Sequence, residues 1–235
     1  MASSAAGLRD RTTPLRERQR IVRSRNRFWR PEEIAGAAST KKHLLADLVA
    51  EGDLRRVRRG LYWRGTKSPL GMSPPPTDAL VRELAPGPGV GPAGLYAANL
   101  LHLSTQVPRR AEIAVPTRAP EGVGSVKFAA RPARTGRVKA GLNPTEVALL
   151  EILESWERAV EVPPAEAWTR LRDLLVSGQA RADRVARASQ TEPGQVRARL
   201  RRLLRFADRP DLAEKVPEPD ERTTAEAIRA LRDVS

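Results

Sequence analysis

The stretch STKKHLLADLVAEGDLRRVRRGLYWR, residues 39–64, carries the clearest local signals in this chain of 235 residues. Its first half places apolar side chains at helical spacing on one face, which predicts a helix: Leu44, Leu45, Leu48 and Val49. Gly52 follows as a residue that commonly ends a helix. Two short runs then flank Arg58-Arg59-Gly60, and this pattern predicts a tight β-hairpin.

A second helix is predicted just upstream of this stretch. Pro31 followed by two glutamates is typical of a helix start, because the first turn needs no N–H at that position and its dipole favours acids. Ser39 and Thr40 then offer an N-cap for the next helix. Two helices, a short turn and an arginine-tipped hairpin form the order of a winged helix-turn-helix. We therefore predict such a domain over residues 15–66, after a flexible N-terminus at 1–14.

The helix over the first half of the stretch would present polar side chains at its N-terminal end. That end contacts base edges when such a helix enters the major groove of DNA. Lysine there reaches guanine or phosphate, hydroxyls suit phosphates, and wing arginines would reach nearby phosphates or the minor groove. The predicted DNA-binding residues are Ser39, Thr40, Lys41, Lys42, His43, Arg55, Arg56, Arg58, Arg59 and Tyr62. A winged helix that serves protein contacts, with solvated arginines, is the alternative.

The charge of the chain is strongly positive and unevenly distributed. The formal net charge is +14 at a pI near 11.2. Residues 1–70 contain 17 Lys+Arg and 7 Asp+Glu, whereas the remaining residues contain 25 and 21. Such an excess attracts polyanions such as duplex DNA, RNA or an anionic membrane. Because most of the excess lies in the first third, this part is expected to contact the polyanion.

Composition excludes several other classes of protein. Cysteine is absent, which excludes disulfides, thiolate catalysis and zinc ribbons. Only two histidines occur and no acidic cluster has ligand spacing, so we expect neither a metal nor another cofactor. No run approaches the roughly 18 to 20 apolar residues of a membrane span, and the N-terminus lacks the apolar core of a signal peptide. We expect a cytoplasmic protein without membrane contacts.

Two motifs that suggest enzymatic function lack the context that this function needs. Gly89-x-Gly91-x-x-Gly94 matches the dinucleotide fingerprint, but prolines interrupt it and no strand is predicted before it. His102 lies near Ser104, but no nucleophile elbow accompanies the pair. The sequence predicts that the protein is not an enzyme.

The remaining residues predict an α+β fold that is mostly helical. A linker at 67–76 precedes an α+β domain at 77–210, with strands at 111–115 and around Val126 and Phe128. From Asn143 onward the pattern is helical, and an acidic, proline-rich segment at 211–235 ends in a helix. Residues 181–206 contain eight arginines and two acids. This segment suits a second DNA- or RNA-binding unit, a bundle helix with a solvated face, or a contact for an acidic partner.

Three stretches together resemble the AbiEi-type antitoxins of toxin–antitoxin systems. They are LVAEGDLRRVRRGLYW at 48–63, GLYAANLLHLSTQVPRRAEIAVPT at 94–117 and LNPTEVALLEILE at 142–154. The resemblance covers about two thirds of the chain. It implies a repressor that binds its own promoter and an antitoxin that neutralises a nucleotidyltransferase-like toxin. A ligand-responsive winged-helix regulator and an RNA-binding protein using Arg181 to Arg205 are the competing hypotheses, and the oligomeric state stays open.

Overall fold

The structure is a computed structural model that describes residues 4–229 and 231, with side chains described from residue 13 onward. The chain has a mixed α+β fold in which about half of the residues are helical and the strands form small sheets. The predicted α+β class is therefore confirmed. The chain divides into two compact units, Met1–Glu83 and Leu84–Ser235. No helix in the described part of the chain combines the length and apolar character that crossing a membrane requires.

The first unit alternates helices with short strands. Its elements are α1 (Ser4–Arg23), β1 (Arg27–Trp29), a 3₁₀ helix (Pro31–Glu33), α2 (Ala38–Ala50), β2 (Arg55–Arg58), β3 (Leu61–Arg64), β4 (Lys67–Ser68), β5 (Gly71–Met72) and α3 (Thr77–Leu84). Residues 1–3 of the predicted flexible N-terminus lie outside the described residues, and α1 begins at Ser4. The predicted hairpin corresponds to β2 and β3.

The core of the first unit lies between its helices and an antiparallel sheet of order β1-β3-β2. Trp29 is completely buried there, and its indole N–H donates to Ser24 Oγ at 3.0 Å. The guanidinium groups of Arg20 and Arg27 lie 4.9 and 4.3 Å from its ring centroid. The apolar face predicted for α2 is confirmed, since Leu44, Leu45 and Leu48 are buried in the same cluster.

Local details of the first unit differ from the sequence prediction. The segment 67–76, predicted as a linker, contains the antiparallel strand pair β4 and β5. The helix expected after Pro31 is only the 3₁₀ turn, because the chain is already extended at Ile34 (φ −102°, ψ 133°). The next helix begins one residue before the predicted N-cap. Ala37 occupies the N-cap position without a side-chain hydrogen bond, so Ser39 and Thr40 lie inside the first turn of α2.

The second unit consists of a small sheet and a larger set of helices. Its elements are β6 (Gly91–Pro92), α4 (Gly94–Leu100), β7 (Ala111–Val115), β8 (Val126–Ala130), α5 (Thr135–Lys139), α6 (Pro144–Ala159), α7 (Pro164–Val176), α8 (Ala182–Ala188), α9 (Gly194–Phe206), α10 (Pro210–Ala213) and α11 (Glu221–Arg229). β7 pairs antiparallel with β6 and parallel with β8. Helix α6 is buried on most of its circumference and forms the centre of the core.

The predicted segments of the second unit are present in the structure, together with short elements that were not predicted. The strand predicted at 111–115 is β7, the strand predicted around Val126 and Phe128 is β8, and most of the chain from Asn143 onward is helical as predicted. The short elements β6, α5 and α10 were not predicted. The sequence placed the start of the second domain at residue 77, whereas the division falls after Glu83. That carboxylate pairs with Arg30 at 2.5 Å, within the first unit.

Candidate nucleic-acid interface

The N-terminal half of α2 presents polar side chains to solvent. Ser39, Lys42 and His43 are exposed, and Thr40 and Lys41 are half-buried. The buried leucines of the same helix fix this orientation, because residues three and four apart share a helix face. The structure therefore places the predicted residues of α2 along one accessible end of the helix.

The first turn of α2 also has free backbone donors. The first hydrogen bond of the helix runs from Lys41 N–H to the Ala37 carbonyl at 3.0 Å. The three N–H groups before it have no acceptor within the helix. Together with the helix dipole, these groups favour an anion at this end. The hydroxyls of Ser39 and Thr40 lie in the same turn.

The arginines of the β2–β3 hairpin lie on two faces of the sheet. Residues paired across neighbouring strands share a face. Tyr62 of β3 pairs with Arg56 on one side and with Trp29 of β1 on the other. Arg56 therefore lies on the same face of the sheet as Trp29, the tryptophan of the core. Arg55 pairs with Trp63 on the opposite face, where it donates to the Met72 carbonyl at 3.4 Å.

The hairpin turn carries the remaining predicted arginines. Beyond an irregularity at Val57, Arg58 pairs with Leu61. Arg59 is exposed in the turn, and Gly60 follows at φ +74°, a conformation that L residues rarely adopt. The turn therefore holds one exposed arginine at its tip and a second at its edge.

A groove joins the predicted residues of α2 and β3. Its walls come from the 3₁₀ helix, α2 and β3, and it is lined by Pro31, Glu32, Ala38, Lys41, Lys42, Leu45 and Tyr62. Tyr62 is half-buried against the core. The structure thus brings Lys41, Lys42 and Tyr62 together, whereas Arg55 lies on the other face of the sheet.

Unpaired positive charge is concentrated in the first unit. Among residues 13–83, six cations pair with acids: Arg18–Glu51, Arg20–Glu17, Arg27–Glu33, Arg30–Glu83, Lys67–Asp53 and Arg82–Asp78. Over the same residues, the cations without an ion pair are Arg16, Arg23, Arg25, Lys41, Lys42, Arg55, Arg56, Arg58, Arg59 and Arg64. The acids without one are only Glu32 and Asp47. The excess predicted from composition is therefore also an excess of unneutralised charge.

Four of these unpaired cations were not among the predicted site residues, and one of them, Arg64, donates to the Val22 carbonyl at 3.1 Å. Arg16 and Arg23 are exposed on α1, and Arg25 is exposed just after it. Arg16 and Arg23 are seven residues apart and so share one face of the helix. The seven-residue spacing of these arginines was visible in the sequence. It could not show that they share a helix face until the bounds of α1 were known.

The arginine-rich segment 181–206 is used largely for internal contacts. Arg199 is 1% exposed and donates to the carbonyls of Leu153 and Ala227 at 2.8 and 3.0 Å. Arg181 donates to Glu146 at 2.6 and 3.0 Å, and Arg184 to the Gly141 carbonyl. Several arginines of this segment therefore connect elements of the second unit through hydrogen bonds and ion pairs.

The motifs set aside in the sequence have structural explanations. A Cβ at Gly91 would lie 2.6 Å from Val147 Cβ, so this glycine permits close packing of β6 on α6. His102 is at φ +59°, and its carbonyl accepts a hydrogen bond from Arg170. Within the described residues, no group of three or more histidine or acidic side chains could hold a metal ion.

Comparison with known proteins shows a distant structural likeness. No family model matches the chain, and no curated protein matches it. Among solved structures, the chain is similar to the RV2827C protein of Mycobacterium tuberculosis, with 19% sequence identity and a TM-score of 0.51. The match covers 92% of this chain and 81% of that chain. At this identity the likeness concerns the fold alone.

Proposed function

We propose that this protein is a DNA-binding transcriptional repressor whose first unit is a winged helix-turn-helix. The excess of unpaired cations over unpaired acids among residues 13–83 carries the proposal. The order of elements supports it, since α1, β1, the 3₁₀ helix, α2 and the β2–β3 hairpin follow one another as in that fold. The pairing of β1 with β3 adds the third strand of its sheet.

In this proposal the N-terminal end of α2 enters the major groove of duplex DNA. Lys42 reaches a base edge or a phosphate, and Ser39, Thr40 and the free N–H groups take a neighbouring phosphate. Asp47, the acid of this helix, lies exposed one turn further along and disfavours phosphate there. The N-terminal end, and not the whole helix, is therefore the contacting part.

The hairpin acts as the wing. Arg59 at the turn reaches phosphates or the minor groove next to the α2 contact. Arg58 pairs with Leu61 and so lies on the Arg55 face of the sheet, but it is next to the turn and reaches the same phosphates from that side of the wing. Arg56 and Tyr62 lie on the α2 side of the sheet, so they contact the backbone between the two grooves. Arg55 lies on the opposite face and contributes less in this arrangement.

Fluorescence anisotropy with the upstream region of the gene tests this function. We expect tight binding to that duplex at two salt concentrations, with a scrambled duplex competing poorly. Replacing Arg58 and Arg59 with alanine should reduce the slope of log affinity against log salt by about two units, roughly one for each phosphate contact. The control removes two unpaired arginines of the second unit, Arg109→Ala with Arg118→Ala. Equal effects of the two double variants would refute the wing assignment.

The resemblance to AbiEi-type antitoxins extends the proposal to the biological role. The protein would autoregulate a two-gene operon in the cytoplasm and neutralise a nucleotidyltransferase-like toxin, without catalysis or a cofactor of its own. Growth on co-expression with an adjacent nucleotidyltransferase-like gene tests this role. If the toxin arrests growth equally with and without this protein, the antitoxin role is wrong while the DNA-binding role stands.

A ligand-responsive regulator is the second candidate function. A polar cleft in the second unit favours it, because such a cleft offers a site for a small effector.

A further inference from the structure

A cleft of about 510 Å³ opens in the second unit beside helix α6. Small-molecule sites in proteins commonly measure roughly 300 to 1,000 Å³. Its polar walls include Glu112 of β7, Arg131 and Arg134 after β8, and Glu154 and Arg158 of α6. Arg131 directly follows the carboxyl end of a parallel strand, a location where open α/β sheets often bind ligands.

Buried ion pairs fix the guanidinium groups on one side of the cleft. Arg137 is completely buried, and it donates to Glu192 Oε1 at 2.7 Å and to Glu151 Oε1 at 2.6 Å. Arg131 donates to the other oxygen of Glu151 at 2.9 Å. Arg134 is held between Glu154 at 2.8 Å and Glu192 at 3.3 Å. These contacts preorganise the cleft wall before any ligand arrives.

The charges of the cleft do not balance. Each carboxylate in its lining already has a cationic partner: Glu112 pairs with Lys127 at 2.7 Å, Glu151 with Arg131 and Arg137, and Glu154 with Arg134. Arg158 is exposed and makes no ion pair or hydrogen bond with any residue that the structure describes. Counting the lining residues and their partners, five cations face four carboxylates: Lys127, Arg131, Arg134, Arg137 and Arg158 against Glu112, Glu151, Glu154 and Glu192. The excess of one guanidinium favours an anionic ligand.

Helix α6 is kinked at Ser155, which lies in the wall of the cleft. Ser155 has non-helical dihedral angles (φ −103°, ψ 22°), and its hydroxyl donates to the Glu151 carbonyl at 2.8 Å. Arg158 lies in the turn after the kink. Leu95 of α4 and Ala159 supply the apolar part of the lining. The cleft therefore combines an unpaired guanidinium, fixed polar walls and a small apolar surface.

We propose that this cleft binds a small organic oxyanion, a carboxylate or a phosphate monoester, through the Arg158 guanidinium. The apolar body of the ligand lies against Leu95 and Ala159. A guanidinium is suited to both oxyanions because its planar fork donates two parallel hydrogen bonds. The inference does not depend on DNA binding.

Isothermal titration of the full chain tests the site at constant ionic strength, with citrate, adenosine monophosphate and inorganic phosphate as probes. We expect one-to-one binding of at least one probe, weakened about tenfold or more in Arg158→Ala, because charge-assisted hydrogen bonds are lost. Arg158→Lys should bind more weakly than the wild type but better than Arg158→Ala. Binding of citrate alone identifies a carboxylate ligand, and binding of the phosphate probes alone identifies a phosphate ester.

Two matched variants act as controls. Arg109→Ala and Arg118→Ala each remove another exposed, unpaired arginine of the second unit. Both should bind the probes like the wild type, and circular dichroism should show that all variants are folded. The proposal is overturned if no probe reaches saturation at millimolar concentrations. It is also overturned if Arg158→Ala binds like the wild type or if either control variant causes the same loss.

Discussion

Arg137 lies at the centre of the buried charge network of the second unit. Its guanidinium is shielded from solvent, yet two carboxylates, those of Glu151 and Glu192, accept its hydrogen bonds. Burial lowers the pKa of this guanidinium, but the hydrogen bond and charge of Glu192, together with the charge of Glu151, raise it further. The ions therefore stay charged inside the protein, and each depends on the others for its solvation.

Removing Arg137 should destabilise the second unit strongly. Arg137→Met leaves Glu151 and Glu192 without their central partner, and breaking a buried pair in this way costs about 3–5 kcal/mol. The free energy of unfolding from urea titration measures the loss. Arg187→Ala is the control, because its pairing with Asp183 at 3.0 Å is exposed and worth at most about 1 kcal/mol. A loss no larger than that of the control would show that the network does not stabilise the fold.

The same network predicts how stability depends on pH. Burial raises the pKa of Glu151, but the hydrogen bond from Arg131 and the charge of Arg137 outweigh it, so the pKa falls below its ordinary value of 4.5. A lowered carboxyl pKa stabilises the folded state above the unfolded value and loses this contribution as pH falls through the folded value. The difference in unfolding free energy between wild type and Glu151→Gln should therefore shrink below pH 4.5. A constant difference down to pH 3 would contradict this assignment.

Helix α6 begins with a capping box that fixes its entry into the core. Asn143 Oδ1 accepts from the Glu146 N–H at 2.8 Å, and Glu146 Oε2 accepts from the Asn143 N–H at 2.7 Å. Asn143→Ala removes one of these bonds and should lower the unfolding free energy by about 1 kcal/mol. Thermal unfolding measures the change, with Thr169→Ala on the exposed side of α7 as a control. A variant as stable as the wild type would mean that Arg181, which also bonds Glu146, holds the helix end by itself.

The sequence predicted elements well where the signal was local. The apolar spacing of α2 and the Arg59-Gly60 turn define the helix and hairpin from a few neighbouring residues, and both are present. The position of the hairpin arginines was not predictable in the same way. The irregularity at Val57 and the pairing of β1 with β3 decide which face each arginine occupies, and both depend on contacts distant in sequence. The same applies to the cleft, whose arginines come from two separate segments, one after β8 and one in α6.

At the scale of the whole molecule, the two units differ both in their hydrophobic cores and in how many of their charges are paired. The first unit has its own core around Trp29, and the second has its own around α6. In the first unit, many cations of residues 13–83 make no ion pair and few acids are left unpaired. In the second unit, most of the described arginines pair with a carboxylate or a backbone carbonyl. This separation is compatible with the proposal that the first unit binds a polyanion while the second unit binds a different ligand.

The division predicts that each unit folds and acts separately. A cut in the loop after α3 gives fragments 1–86 and 87–235, each with one buried core, and domains of this size commonly fold alone. We expect a single cooperative thermal transition for each fragment. Fragment 1–86 should bind duplex DNA with the salt dependence of the full chain, because the proposed contacts all lie in α2 and the β2–β3 hairpin, and 87–235 should not bind it. DNA binding by 87–235 alone would transfer the polyanion site to the arginines of α9, and the proposed role of the first unit would then be wrong.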